Sequence, residues 1–276
     1  MICLINGKIK NTISITDRGL HYGDGCFTTI RVIKDKVELF EYHISRLKKC
    51  AKKLFLPSIN WKNISDDINT LALLNKEKFA VIKVIITRGS GYNRGYSTIG
   101  FNKPTVIMFL NHYPIKYIDQ QKNGIKLIIS KIPITNNYYL SEIKHLNCLE
   151  HILIKKQIEI MEVDEAITTD INNNILGCCS SNIFWRKGQY IYTPDLSQGG
   201  VKGIMRKKII HCLLKSMFKF YFIKAKINMI ELADEIIISN ALMPILYVNT
   251  IIMQKKIIDY VHKDKILFHY LKSYCL

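Results

Sequence analysis

The sequence predicts two modest domains, each mixing β-strands with amphipathic helices, an α/β (α+β) organisation. Three observations carry that expectation. A chain of 276 residues is long enough for two cores. Extended apolar runs and helical stripes are interleaved from one end to the other. Between Asn111 and Gln121 the periodicity fades around Pro114, as expected at a boundary. The reading is a smaller N-terminal domain over 1–112, a linker over 113–121 and a larger C-terminal domain over 122–276.

Phe27 to Val32 and Val37 to Phe40 read as extended, and Ile44, Leu47, Ala51 and Leu54 then recur at helical spacing with Arg46 on another face. Ser65, ahead of Asp66-Asp67, is the expected cap of a second helix with Ile68, Leu71 and Ala72 as its stripe. Two β-rich runs, Val81 to Thr87 and Thr105 to Leu110, flank the Gly-rich loop from Arg88 to Tyr96, a place for ligand contacts. In the second half Ile125 to Ser130 reads as a strand, and Leu146, Leu149, Leu153 and Ile160 suggest a helix directly after Lys144. That places Lys144 at a strand-to-helix junction. Short strands at Ala166 to Thr169, Asn182 to Trp185 and Tyr190 to Thr193 precede Gly199-Gly200-Val201-Lys202-Gly203, which opens a helix with Ile209, Ile210, Leu213, Leu214 and Met217. Glycines before a helix offer backbone N–H groups to an anion, though a simple turn explains them equally well.

Hydrophobic content of 48% and charged content of 22% describe a globular chain without low-complexity tails. Charges interrupt every apolar run before membrane-spanning length, and the start is too short an apolar run for a signal peptide. A cytoplasmic protein without membrane partners is expected. The 8 cysteines are scattered with no CxxC, so reduced thiols and no metal site are the expectation. A net charge of +18 raises the question of nucleic acid. The lysines are dispersed, however, and no arginine-aromatic stripe accompanies them, so no nucleic-acid partner is expected.

With 40 Lys plus Arg residues, any one lysine reads first as a solvated charge. The setting of Lys144 argues otherwise. It lies in Ser141-Glu142-Ile143-Lys144-His145-Leu146-Asn147, with Asp17-Arg18-Gly19-Leu20-His21-Tyr22-Gly23-Asp24-Gly25 upstream and Asn182-Ile183-Phe184-Trp185 downstream. A lysine held in a pocket can form a Schiff base with a carbonyl cofactor. Taken in order, the segments Asp17 to Arg31, Arg88 to Thr98, Ile143 to Glu150, Asn182 to Gly188, Gly200 to Arg206 and Ser239 to Pro244 resemble the fold-type IV pyridoxal-phosphate enzymes, most of all the aminodeoxychorismate lyases.

The resemblance implies two α/β domains with the pyridoxal 5'-phosphate between them, the larger C-terminal one binding the cofactor, and a homodimer. It implies Lys144 as the Schiff-base lysine, and Arg46, the N–H groups of Ile204 and Met205, and Asn240 as phosphate contacts. Arg94 and Tyr96 match the part of the family that binds substrate carboxylates, and Thr29 is the candidate for positioning or protonating a leaving group. The implied reaction converts 4-amino-4-deoxychorismate to 4-aminobenzoate and pyruvate, a step of folate biosynthesis. Branched-chain transaminases carry glutamate after the phenylalanine matching Phe27, where this chain has Thr28-Thr29, which favours the lyase. One departure stands out. The family places a glutamate against the pyridine nitrogen where this chain has Gly177, which weakens the cofactor as an electron sink. A D-amino-acid or branched-chain aminotransferase and, remotely, a basic nucleic-acid-binding protein stay open as alternatives.

Overall fold

The computed structural model describes residues 2–93, 95–253 and 256–275. The chain divides into two compact units, Met1–Pro114 with Ile143–Asn147, and Ile115–Glu142 with Cys148–Leu276. The short segment around Lys144 thus belongs to the first unit, although the second surrounds it in sequence.

The first unit runs β1 (Ile2–Ile5), β2 (Lys8–Ile9), α1 (Arg18–Tyr22), β3 (Gly25–Ile33), β4 (Lys36–Val37), α2 (Phe40–Lys53), α3 (Trp61–Leu73), β5 (Phe79–Thr87) and β6 (Thr105–His112). Its strands form an antiparallel sheet in the order β2-β1-β6-β5-β3-β4. Strand β3 alternates strictly. Cys26, Thr28, Ile30 and Val32 are buried, while Phe27, Thr29 and Arg31 are only half-buried, the period-2 signature of a strand with two different faces. Helix α2 buries His43, Ile44, Leu47, Cys50 and Ala51, and a side chain such as Leu47 contributes roughly 2 kcal/mol by leaving water. Its start at Phe40 shortens the extended segment expected over Val37 to Phe40, because the chain turns through a positive φ at Leu39.

Ser65 is not a cap. Helix α3 begins a turn earlier, where the Asn60 side chain accepts the Asn63 N–H at 3.1 Å, and Ser65 Oγ bonds back to the Trp61 carbonyl inside the helix. An amide at N-cap outcompetes a mid-helix serine for the unpaired first-turn donors.

The second unit runs α4 (Lys116–Asn123), β7 (Ile125–Ile129), α5 (Leu149–Ile160), β8 (Glu165–Thr169), β9 (Ile175–Cys178), β10 (Asn182–Lys187), β11 (Tyr190–Pro194), α6 (Ile204–Leu213), β12 (Lys219–Ile223), α7 (Asn228–Glu231), β13 (Glu235–Ser239), β14 (Leu246–Ile252), β15 (Ile257–Asp259) and α8 (Ile266–Tyr274). Among the described residues its sheet has the order β12-β11-β10-β13-β14-β7-β8-β9, with β15 on β14. Three pairings, β11 with β12, β14 with β7 and β7 with β8, are parallel. Strands such as β13, Glu235–Ser239, are buried at every position, as expected for a strand covered on both faces.

Both expected helices form, and their apolar stripes lie partly outside the core. In α5 it is Ile154 and Ile158 that enter the core, whereas Leu149, Leu153 and Ile160 are exposed. Beyond α6, Leu214 and Met217 are exposed as well. Apolar spacing marks a helical face but does not say what covers it.

Candidate active site

Lys144 is not at a junction between strand and helix. Residues 143–147 instead lie along the first residues of β3: the Phe27 N–H donates to the Lys144 carbonyl at 2.9 Å and the Leu146 N–H to Gly25 at 3.1 Å. Cys26 and His145 form an antiparallel bridge, and Asn147 Nδ2 donates to the Gly23 carbonyl at 3.2 Å. Strand β4 pairs only with Val32 and Ile33, so this end of the β3 edge is open to receive the segment. The backbone N–H of Lys144 reaches the Cys50 sulfur on α2. Pinned in this way, the Lys144 Nζ lies 4.4 Å from the centroid of the Phe27 ring. A lysine anchored through its backbone to a sheet and a helix presents its amine from a rigid base.

Helix α2 carries His43, Arg46 and Cys50, spaced three and four residues apart and so on neighbouring positions of one face. His43 Nδ1 and Thr28 Oγ1 are 2.6 Å apart and both residues are buried. Burial, with help from the Arg46 charge, draws the imidazole down to about 3. Arg46 is itself half-buried and drawn down to about 10 by loss of water, with Cys50 pulling the other way. Its planar fork suits phosphate oxygens. The Cys50 thiol is lowered to about 7, first by the bond from Cys26. Thr29 points away from this cluster, on the half-buried face with Phe27, and is the register partner of Lys83 on β5.

In the second unit a glycine-containing loop leads into the uncapped start of α6. No side chain caps the helix, so the first-turn N–H groups of Ile204 and Met205 are uncommitted by any cap. Asn182 at the start of β10 holds the approach: its Oδ1 accepts the Gly203 N–H at 3.1 Å and its Nδ2 donates to the Val201 carbonyl at 2.9 Å. A Cβ on Gly203 would stand 2.0 Å from Asn182 Oδ1, so glycine is required for this close approach. Across the sheet Asn182 is in register with Ser239, whose buried Oγ has no hydrogen-bond partner among the described residues. An orphan hydroxyl beside an uncapped helix start is a donor set suited to a phosphate.

Glu165 and Gly177 flank the turn that leads into β10. Glu165 is buried and accepts hydrogen bonds from Ser180 N–H at 3.0 Å, from the Ser180 hydroxyl, and from Ala166 N–H at 3.1 Å. Burial raises its carboxyl above the usual range despite those bonds. Gly177 has φ +157°, and a Cβ there would lie 3.0 Å from the Ser181 carbonyl oxygen.

The family model for amino-transferase class IV matches residues 25–251. The chain belongs to that family. A curated relative, the aminodeoxychorismate lyase of Vibrio harveyi, is 30% identical over 93% of this chain and 93% of its own length. The crystal structure of 4-amino-4-deoxychorismate lyase from Pseudomonas aeruginosa superposes with a TM-score of 0.89 at 22% identity, over 99% of this chain and 97% of that one. A hypothetical aminotransferase from Mycobacterium tuberculosis in its PLP-bound form superposes at 0.85 with 12% identity, over 100% of this chain and 99% of that one. At such identities the superpositions speak for a shared fold.

Within this class IV amino-transferase fold, Lys144, Arg46, Thr29 and Phe27 fall in the first unit, and Ile204, Met205 and Asn240 in the second. Asn240 differs from expectation. Its Oδ1 accepts the Leu242 and Met243 N–H groups at 2.9 and 2.7 Å, and its Nδ2 donates to Ser180 O and Ser181 Oγ, each at 3.2 Å. The amide is used up in shaping its own loop, whereas the neighbouring Ser239 hydroxyl has no hydrogen-bond partner among the described residues. Arg94 lies outside the described residues. Tyr96 is 87% exposed, with its ring 5.7 Å from Tyr22. Sequence reasoning did not single out His43, Glu165 or Ser239, none of which stands apart in composition or spacing.

Proposed function

We propose that the chain is an aminodeoxychorismate lyase that uses pyridoxal 5'-phosphate to convert 4-amino-4-deoxychorismate to 4-aminobenzoate and pyruvate in folate biosynthesis, as a cytoplasmic homodimer. Similarity over 93% of both lengths to the Vibrio harveyi lyase carries the reading. The anchored Lys144 amine and the donor set at the start of α6 support it.

When bound, pyridoxal phosphate supplies a carbonyl carbon for an amine and a ring that takes up negative charge. Lys144 Nζ is the group that holds that carbonyl carbon, and Arg46, the N–H groups of Ile204 and Met205, and Ser239 Oγ are donors for the phosphate. Lys144 Nζ, as a free amine, would serve as the base that takes the proton from the carbon bearing the substrate amine. The C–O bond to the enolpyruvyl group then breaks, pyruvate leaves and the ring becomes aromatic. Thr29 Oγ1 steadies or protonates the departing oxygen. The Phe27 ring beside Lys144 Nζ shields the amine from water.

Gly177 leaves the pyridine nitrogen without the carboxylate expected for the family. Elimination to an aromatic product tolerates a weaker sink than transamination does, so this departure supports the lyase over an aminotransferase. Arg94 and Tyr96 are assigned to substrate carboxylates. The exposed apolar side chains of α5, Leu149, Ile152, Leu153 and Ile160, form a face suited to a second copy.

The test is 4-aminobenzoate formation by purified protein given pyridoxal phosphate and 4-amino-4-deoxychorismate, with Lys144→Ala as control. Product from the wild type that vanishes in the variant supports the assignment. A folded wild type that yields none, but interconverts amino and keto acids, overturns it in favour of an aminotransferase.

A further inference from the structure

We propose that Arg18 is a positioning residue for substrate binding, holding the turn at residues 95–97 so that the Tyr96 side chain is presented ready-made; the part Tyr96 plays toward substrate rests on the reading above. Arg18 opens α1 and is buried. A buried guanidinium is costly unless it is paired and its N–H groups are used. Its Nε donates to Asp24 Oδ2 at 2.8 Å, but that carboxylate is shared with Arg88, whose Nε and Nη2 reach it at 2.7 and 3.0 Å. The other donors of Arg18 go to backbone oxygens. Nη1 donates to the Gly95 carbonyl at 3.0 Å and the Ser97 carbonyl at 3.2 Å, and Nη2 to the Tyr96 carbonyl at 3.5 Å. The Tyr22 and Phe101 rings lie 4.7 and 5.0 Å from its Cζ, within cation–π reach.

Residues 95–97 belong to no helix or strand, and among the described residues no backbone N–H donates to their carbonyls. The turn therefore depends on Arg18 for its shape. Arg88, on the same carboxylate, donates instead to the Leu54 and Phe55 carbonyls just past α2, so one arginine fixes the helix end and the other the turn. Tyr96 gives Arg18 its carbonyl yet leaves its side chain 87% exposed, with its ring 5.7 Å from Tyr22. A phenol held out by a fixed backbone is suited to meeting a ligand. Arginine is required because its planar fork presents several N–H groups at once, whereas an ammonium cannot span Asp24 and three carbonyls.

The consequence is pre-organisation. A turn already held when substrate arrives does not have to be ordered by binding; were only about a tenth of the molecules to hold it, apparent affinity would fall about tenfold. Lys144 is held through β3 and α2, not through this turn, so the steps after binding should be spared.

The experiment compares the cofactor-loaded wild type with Arg18→Lys, Gly95→Ala and Tyr96→Ala. Lysine keeps a charge for Asp24 and loses the fork. Gly95 has φ +72° and no atom within 4 Å of where a Cβ would stand, so alanine strains the turn from its exposed side and tests the proposal even if Arg18→Lys does not fold. Both variants should raise KM for 4-amino-4-deoxychorismate about tenfold, change kcat less than about twofold, and leave pyridoxal phosphate affinity close to wild type. Without any turnover, both should speed chymotryptic cleavage after Tyr96 about tenfold, since cleavage follows the open fraction of the turn. In a Tyr96→Ala background Arg18→Lys should have no further effect on KM. Unchanged KM or cleavage, a loss of kcat and cofactor affinity in step with KM, or an equal effect of Arg18→Lys without the Tyr96 side chain overturns the proposal. Protein that transaminates instead of forming 4-aminobenzoate loses the lyase reading, and the same cycle is then read in KM for its amino acid.

Discussion

The contact between Asn182 and Gly203 offers a sharp test of how the loop before α6 is built. Replacing Asn182 with Ala removes two hydrogen bonds, to the Gly203 N–H and the Val201 carbonyl, at about 1 kcal/mol each, or about 2 kcal/mol together. Replacing Gly203 with Ala puts a Cβ 2.0 Å from Asn182 Oδ1 and 3.6 Å from Arg206 Cβ. The second distance is ordinary contact, so the clash involves Asn182 alone. Expelling that side chain forfeits the same two bonds, and the single variant should again lose about 2 kcal/mol, plus about 0.5 kcal/mol for alanine at an N-cap. In the double variant the clash has no partner. Its cost should therefore be close to one single variant, with a coupling energy of about 2 kcal/mol. Urea denaturation of the cofactor-free protein measures all four corners of the cycle, and titration with pyridoxal phosphate checks that each variant weakens binding. Additive costs, within about 0.5 kcal/mol, would refute the reasoning.

Three further outcomes follow from the geometry. Lys144→Ala should leave the melting temperature of the cofactor-free protein within a few degrees of wild type but eliminate product, since the segment is held by backbone bonds rather than by the amine; a collapse in stability would contradict that. Gly177→Glu should turn over roughly tenfold faster than Gly177→Ala, about 1.4 kcal/mol of barrier. The alanine variant carries the same backbone crowding against Ser181 O, and equal rates would show that a carboxylate here does nothing for the reaction. The His43 imidazole is held at about 3 in the folded protein against 6.5 when free. The unfolded chain therefore binds the extra proton first, and His43's contribution is fully present above pH 6.5 and lost as pH falls towards 3, about 5 kcal/mol in all. The stability of His43→Gln should fall less steeply than wild type over that window; parallel curves would mean that His43 is not held neutral.

Much of the architecture was legible in the sequence because it rests on local periodicity. The runs at Phe27 to Val32, Val81 to Thr87 and Thr105 to Leu110 are strands, extended by one or two residues at one or both ends. The stripe of Ile44, Leu47 and Ala51 is the buried face of α2. Helix starts were harder. Ser65 and Asn60 are both competent caps in sequence, and the choice between them depends on which turn packs against the sheet. The apolar spacing in α5 marks a helix but not its buried face, which falls to Ile154 and Ile158, because periodicity does not say what covers a stripe.

The sequence by itself determined the order of elements, the lysine with its ordered motifs, and the absence of a carboxylate at Gly177, all properties of residue type and spacing. Only the tertiary structure decided that Lys144 joins the edge of β3, that Thr28 is tied to His43 while Thr29 faces Phe27, that the Asn240 amide is spent on its own loop while Ser239 is not, and that Arg18 gathers the carbonyls of Gly95, Tyr96 and Ser97. Those are pairings between residues far apart in the chain, fixed by sheet register and by which hydrogen-bond donors are already satisfied, and neither quantity is written in local sequence.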